Sequence, residues 1–119
     1  MKTSSAKAKG RRLQQKVASL LVESFDELQP DDIRSTGMGQ SGEDIQLSPL
    51  ARTKIPFSFE CKNQERLNIW SAIEQAESNA SEYSPAIVFN RNRTKTYVAI
   101  QIEDFIKLIK NKWSISYLR

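Results

Sequence analysis

The chain contains no histidine. That absence removes Ser-His-Asp and Cys-His catalysis, together with the ligand on which most zinc sites depend. Cysteine is nearly as scarce: Cys61 stands alone, so the chain cannot form an internal disulfide or a cysteine-rich metal cage. What remains for chemistry is carboxylates, lysines and a hard, oxygen-seeking cation such as Mg²⁺. No apolar run is long enough to cross a bilayer, and the basic start is not followed by the apolar core of a secretion signal. A soluble, cytoplasmic protein with no membrane partner is therefore expected. Glycine is sparse, and three of the four glycines fall between Ile33 and Leu47, which marks a flexible connection there.

Acidic residues are missing from the beginning of the chain. Lys2, Lys7, Lys9, Arg11, Arg12 and Lys16 all precede Glu23, the first carboxylate. A second basic cluster, Arg91, Arg93 and Lys95, lies in "NRNRTK", within a chain of net charge +4 and pI near 9.3. Two separated basic segments suit a polyanion laid across one face, with nucleic acid the natural partner. Lys9, Arg11, Arg12, Arg91, Arg93 and Lys95 are the candidate contacts, to phosphates rather than to base edges.

At 119 residues the chain can build one core and is too short for two. An active site must then sit on that core or be completed by a second copy. Residues 1–9 carry no large apolar side chain after Met1 and are expected to be a flexible basic arm, leaving 10–119 as a single domain. Leu13, Val17, Leu20, Leu21 and Leu28 recur at helical spacing, which predicts an amphipathic helix over 10–28 with Arg11, Gln14, Gln15 and Lys16 on its polar face. Extended pieces are expected over 32–36 and 43–47, then a turn in "SPLARTK". Ile55, Phe57 and Phe59 alternate with Pro56, Ser58 and Glu60, the period of a strand. A helix follows over 65–82, with Ile69, Ile73, Ala76 and Ala80 on one face and Trp70 packed beside them. A hairpin of 86–89 and 97–102 with a basic tip comes next. Phe105, Leu108, Ile109 and Trp113 define a last helix, and the tail "WSISYLR" can pack on the body or on a second subunit. The order implies an α/β sandwich with a mixed sheet and helices on both faces.

The chemistry-bearing residues lie in two short stretches. Asp44 stands in "EDI" on one extended piece, and Glu60, Cys61 and Lys62 form "ECK" at the end of the apolar strand. Alternation puts Lys62 on the same side as Glu60, while Cys61 points into the core as a small hydrophobe. As ordinary structure, Glu60 and Lys62 would be a strand-end ion pair of little worth. As chemistry, two carboxylates from neighbouring strands and an amine can hold a cation and serve a phosphodiester.

This pattern, in this order of elements, resembles the PD-(D/E)XK nuclease superfamily. Within it the chain looks most like archaeal and phage Holliday junction resolvases and related phage endonucleases, through "KGRRLQQKVASLL", "RSTGMGQSGEDI" and "FSFECKN". The resemblance covers roughly residues 9–105. It implies a restriction-endonuclease-like α/β/α sandwich with a central mixed β-sheet flanked by helices, making 10–119 one nuclease domain. It also implies a Mg²⁺-dependent endonuclease, with Mn²⁺ able to substitute, whose metal is held by Asp44, Glu60 and the Cys61 backbone carbonyl while Lys62 is catalytic. The implied partners are DNA, branched or duplex, and a second copy in a homodimer. Two departures bear on the chemistry: Gln14 and Gln15 stand where resolvases carry a first-helix glutamate, and Glu43 replaces the proline of the motif. Gln14 and Gln75 are candidates for supporting the site from outside the ligand set. Several branches follow such a glutamine with a tyrosine four residues on, where this chain has Asn79. The alternatives are a non-catalytic DNA-binding protein on the same fold and a nicking or homing-type endonuclease.

Overall fold

The computed structural model describes residues 3–36 and 42–112. Gly37, Gly39, Trp113 and the tail "WSISYLR" therefore lie outside the described residues.

Helix α1 (Thr3–Ser24) starts well before the position expected for it. From Thr3 on, the expected basic arm is the first part of this helix. The segment "TSSAKAK" carries no proline or β-branched run after Thr3, and its alanines and lysines propagate a helix. The helix also stops at Ser24 rather than at 28. Leu28 is nevertheless buried, because the chain turns through Phe25, whose carbonyl accepts from Leu28 N–H at 3.0 Å.

After a single 3₁₀ turn at Pro30–Asp32 come β1 (Ile33–Ser35) and β2 (Ile45–Leu47), which pair antiparallel with Ile33 opposite Leu47. The expected turn in "SPLARTK" is instead a short helix, α2 (Pro49–Lys54). Ser48 caps it by accepting from Ala51 N–H at 3.1 Å, and Pro49 sits where its missing N–H costs nothing. Strand β3 (Phe57–Asn63) pairs parallel with β4 (Ser84–Asn90), and β4 pairs antiparallel with β5 (Tyr97–Ala99). Helix α3 (Ile69–Asn79) connects the two parallel strands, and α4 (Ile102–Lys112) follows β5.

The three-stranded mixed sheet is covered on both faces. Leu13, Val17 and Ala18 of α1 pack with Phe59, Cys61, Ala86 and Val88 on one side. Ala72 and Ala76 of α3 pack with Ile87 on the other, flanked by Phe89 and Ala99. Alternation along β3 and β4 sorts these residues between the faces, and burial on both sides explains the unbroken apolar run Ala86–Phe89 in the central strand β4. This is the α/β/α arrangement expected, with β1 and β2 set apart as their own two-stranded sheet.

Helix α3 is shorter than the expected 65–82, because Asn68 starts it by accepting from Ser71 N–H at 3.1 Å. Its small residues face the sheet and let the helix approach closely. That rotation leaves Trp70 outside: it is 74% exposed rather than packed in the core.

Candidate active site

Asp44 is held at the point where the two sheets meet. Gly42 takes a φ of 95°, a conformation an L side chain rarely adopts, and this turns the chain toward β2. Thr36 then ties down both neighbouring peptides. Its hydroxyl donates to the Glu43 carbonyl at 2.8 Å and its N–H to the Asp44 carbonyl at 2.7 Å. Asp44 N–H donates to the Phe59 carbonyl at 2.9 Å, and the Asp44 carboxylate accepts from Cys61 N–H at 2.7 Å. The residue that leads into β2 is thus fastened to β3 on both sides of Glu60.

Glu60 is 2% exposed although its side chain is ionisable. Its strand position directs it to the α3 face, where Asn79 Nδ2 donates to Oε1 at 3.4 Å and Lys62 Nζ lies 3.8 Å from Oε2. Lys62 in turn donates to Gln75 Oε1 at 2.8 Å. Asn79 follows Gln75 by four residues and so shares its helix face. The helix therefore presents two amides to the strand, one to the lysine and one to the glutamate.

Electrostatics mark the two carboxylates as a coupled pair. Burial raises the pKa of Asp44 above the ordinary carboxylate value, opposed by the Cys61 N–H and by the charge of Lys62. Burial likewise raises Glu60, the neighbouring Asp44 charge raises it further, and Asn79 and Lys62 pull against both. Burial, then the charges of Asp44 and Glu60, push the Cys61 thiol far up, so it stays protonated and plays no nucleophilic part. A buried glutamate whose ionised form is disfavoured by the half-buried aspartate beside it is relieved by a cation between the two. This donor set, hard oxygen without imidazole or thiolate, fits Mg²⁺ or Mn²⁺. Among the described residues no cluster of three or more His, Cys, Asp or Glu forms.

The structure brings together Asp44, Glu60, Lys62 and Gln75 from the sequence-derived set. Gln14 is placed differently from the reading that put it on the polar face of α1. It is buried, 6% exposed, and its Oε1 meets no hydrogen-bond partner. Glu43 faces neither the site nor open solvent, being ion-paired with Arg52 of α2 at 2.5 Å. Sequence reasoning missed Asn79, Thr36 and Arg52. The spacing of four from Gln75 was the available signal for Asn79, and nothing local marked the other two.

The two basic segments meet in the folded chain. Lys16 Nζ donates to Thr96 Oγ1 at 3.1 Å, which sets α1 beside the hairpin joining β4 to β5. Arg11 and Arg12 lie about one turn from Lys16 and are exposed, as are Arg91, Arg93 and Lys95 in the tip, while Lys9 is half-buried. The tip also lies at Lys62's end of the sheet. Asn63, the next residue, pairs with Asn90, and Asn92 N–H donates to Glu65 Oε2 at 2.6 Å.

Comparison with known proteins bears on the same residues. A family model described as "Phage putative PDDEXK endonuclease" matches residues 5–119. No curated protein and no solved structure matches the chain. The match spans nearly the whole chain, α1 through the last helix and every residue of the carboxylate–lysine constellation, and the chain belongs to this phage PDDEXK endonuclease family.

Proposed function

We propose that this member of the phage PDDEXK endonucleases is a Mg²⁺-dependent enzyme that hydrolyses DNA phosphodiester bonds, acts selectively on branched DNA such as a Holliday junction, and works as a homodimer. The observation that carries the reading is the buried Glu60 beside the half-buried Asp44, with the Lys62 ammonium 3.8 Å from Glu60. An ordinary strand-end ion pair would not draw a second, half-buried carboxylate against a buried one, since that costs stability without a compensating charge.

Asp44, Glu60 and the Cys61 carbonyl would hold the cation. When bound, it supplies positive charge that acidifies water and offsets charge developing on the phosphate. Lys62, kept on the Glu60 side of β3 and steadied by Gln75, orients the attacking water and stabilises the pentacovalent phosphate. Gln75 and Asn79 keep the lysine and the glutamate from collapsing onto one another. The exposed basic residues of α1 and of the hairpin tip bind the phosphates on either side of the cleavage point, and one site per chain makes two copies the simplest way to cut two strands.

The deciding experiment incubates purified protein with a four-way junction and with linear duplex, in Mg²⁺ or in EDTA. Cleavage that needs Mg²⁺, favours the junction and disappears in Lys62→Ala supports the reading. Tight, salt-sensitive binding with no cleavage under any condition makes the chain a non-catalytic DNA-binding protein on this fold. Nicking of linear duplex at a preferred sequence would make it a nicking or homing-type enzyme.

A further inference from the structure

A second concavity lies beside the candidate active site and shares none of its residues. In the parallel register Lys62 pairs with Phe89, so Phe89 occupies the same sheet face one strand away, about 4.8 Å across. From there a cleft of about 720 Å³ extends toward β5. That volume falls within the roughly 300–1,000 Å³ of small-ligand pockets.

Its lining combines two chemistries. Phe89 and Tyr97 pair across β4 and β5 and form an aromatic wall, ring centroids 6.3 Å apart and tilted by 36°. Tyr97 is 56% exposed, a large aromatic surface left open on the edge strand. Arg66 and Arg91 stand on the same lining and bring positive charge to an otherwise apolar concavity. Glu65 is the one acidic side chain here, and its carboxylate is taken up by Asn92 N–H at 2.6 Å.

We infer that this cleft takes one unpaired DNA base next to the cleavage point, with the base against Tyr97 and Phe89 and its flanking phosphates on Arg66 and Arg91. A paired duplex does not fit the lining, because its bases have no free faces for the aromatic wall and its phosphates gain nothing from apolar surface. An unpaired base offers a π-face to Tyr97, and the phosphates on either side of it offer negative charge to Arg66 and Arg91. An apolar peptide would use the wall but leave both arginines without a partner. The inference rests on the DNA-cleaving reading and gives a cause for selectivity toward branched DNA, where stacking is interrupted at the branch point and a base leaves the helix at lower cost.

The test is fluorescence anisotropy in EDTA, so that cleavage plays no part. Three labelled duplexes are compared: fully paired, with a one-nucleotide bulge, and with the same bulge lacking its base. Wild type is expected to bind the base-bearing bulge roughly ten-fold tighter than the abasic one. Tyr97→Ala should erase that difference and leave fully paired duplex affinity unchanged, whereas Tyr97→Phe should keep it. Equal affinity for the two bulges, or an unaltered preference in Tyr97→Ala, overturns the inference even if the protein cleaves DNA. Failure to bind any of the three at low salt overturns the DNA-cleaving reading and this inference together.

Discussion

Arg52 grips Glu43, the residue immediately before Asp44. Both Glu43 oxygens accept from Nη2, Nη1 donates to the Phe57 carbonyl at 2.9 Å, and the guanidinium lies 4.0 Å from the centre of the Tyr83 ring. One side chain thereby joins α2, the approach to β2, the start of β3 and the start of β4 around the aspartate. The pair is largely withdrawn from water, with side chains 16% and 21% exposed. Arg52→Ala leaves Glu43 half-buried without a partner and is expected to cost about 2 kcal/mol. Thermal melting should show a Tm lower by roughly 8 °C. Arg52→Lys should recover only part of this, because an ammonium cannot bridge a carboxylate, a carbonyl and a ring together. A Tm unchanged in Arg52→Ala would show that the contacts are incidental.

The raised carboxylates give stability a definite pH dependence. A carboxyl whose folded pKa lies above its unfolded one favours the protonated folded state. Its contribution is therefore complete below the ordinary carboxylate range and is lost as pH rises through the folded value. For Glu60 that loss is present at neutral pH. Glu60→Gln keeps the shape and still accepts from Asn79, so in EDTA it should melt above wild type at pH 7. The gap should close as pH is lowered through the carboxylate range. Added Mg²⁺ should raise the wild-type Tm at pH 7 and leave the variant nearly unmoved. A variant that melts below wild type at pH 7 in EDTA would mean the carboxylate is already fully compensated by Lys62.

Lys62 and Gln75 should separate in their effects. Lys62→Ala removes the amine that the proposed mechanism aims at the phosphate and should lower cleavage by about 10³-fold, the scale of losing one aimed charge in a site. Gln75→Ala leaves the amine in place but frees it from its 2.8 Å partner, and a loss of roughly ten-fold is expected. Neither change should alter DNA affinity in EDTA. Single-turnover cleavage beside anisotropy measures both quantities, and equal losses in the two variants would make Gln75 as essential as the lysine.

The parts of the fold legible in the sequence were those set by periodicity. Phe57, Phe59 and Cys61 alternate with Ser58, Glu60 and Lys62, and the two faces of β3 follow from that alternation alone. The order of elements was readable for the same reason. Trp70 was misplaced because its helical phase suits a packed position about as well as an outer one, and what decides is how closely Ala72 and Ala76 approach the sheet. The short helix α2 was hidden behind turn-forming residues, since Ser48 and Pro49 start helices as readily as they make turns. Arg52 was invisible for a different reason. Its partners Glu43, Phe57 and Tyr83 are scattered along the chain and meet only through the fold.

The basic tip should act through phosphates, and salt dependence is the measurement that shows it. Arg91, Arg93 and Lys95 are exposed, and Arg93 is held at a φ of 66°, so the tip is a tight turn with charges pointing outward. A side chain that neutralises one duplex phosphate releases about one counterion, which appears as a slope of about 0.9 in log affinity against log salt. Arg93→Ala should reduce that slope by roughly one and weaken binding evenly across unrelated sequences. Arg34 makes a useful control, being an exposed arginine on β1, away from the hairpin, with Asp31 at 4.0 Å. Its replacement should leave the slope unchanged. If Arg93→Ala instead weakens binding to some sequences and spares others at constant slope, the tip reads bases, and the sequence preference of the protein lies in this hairpin.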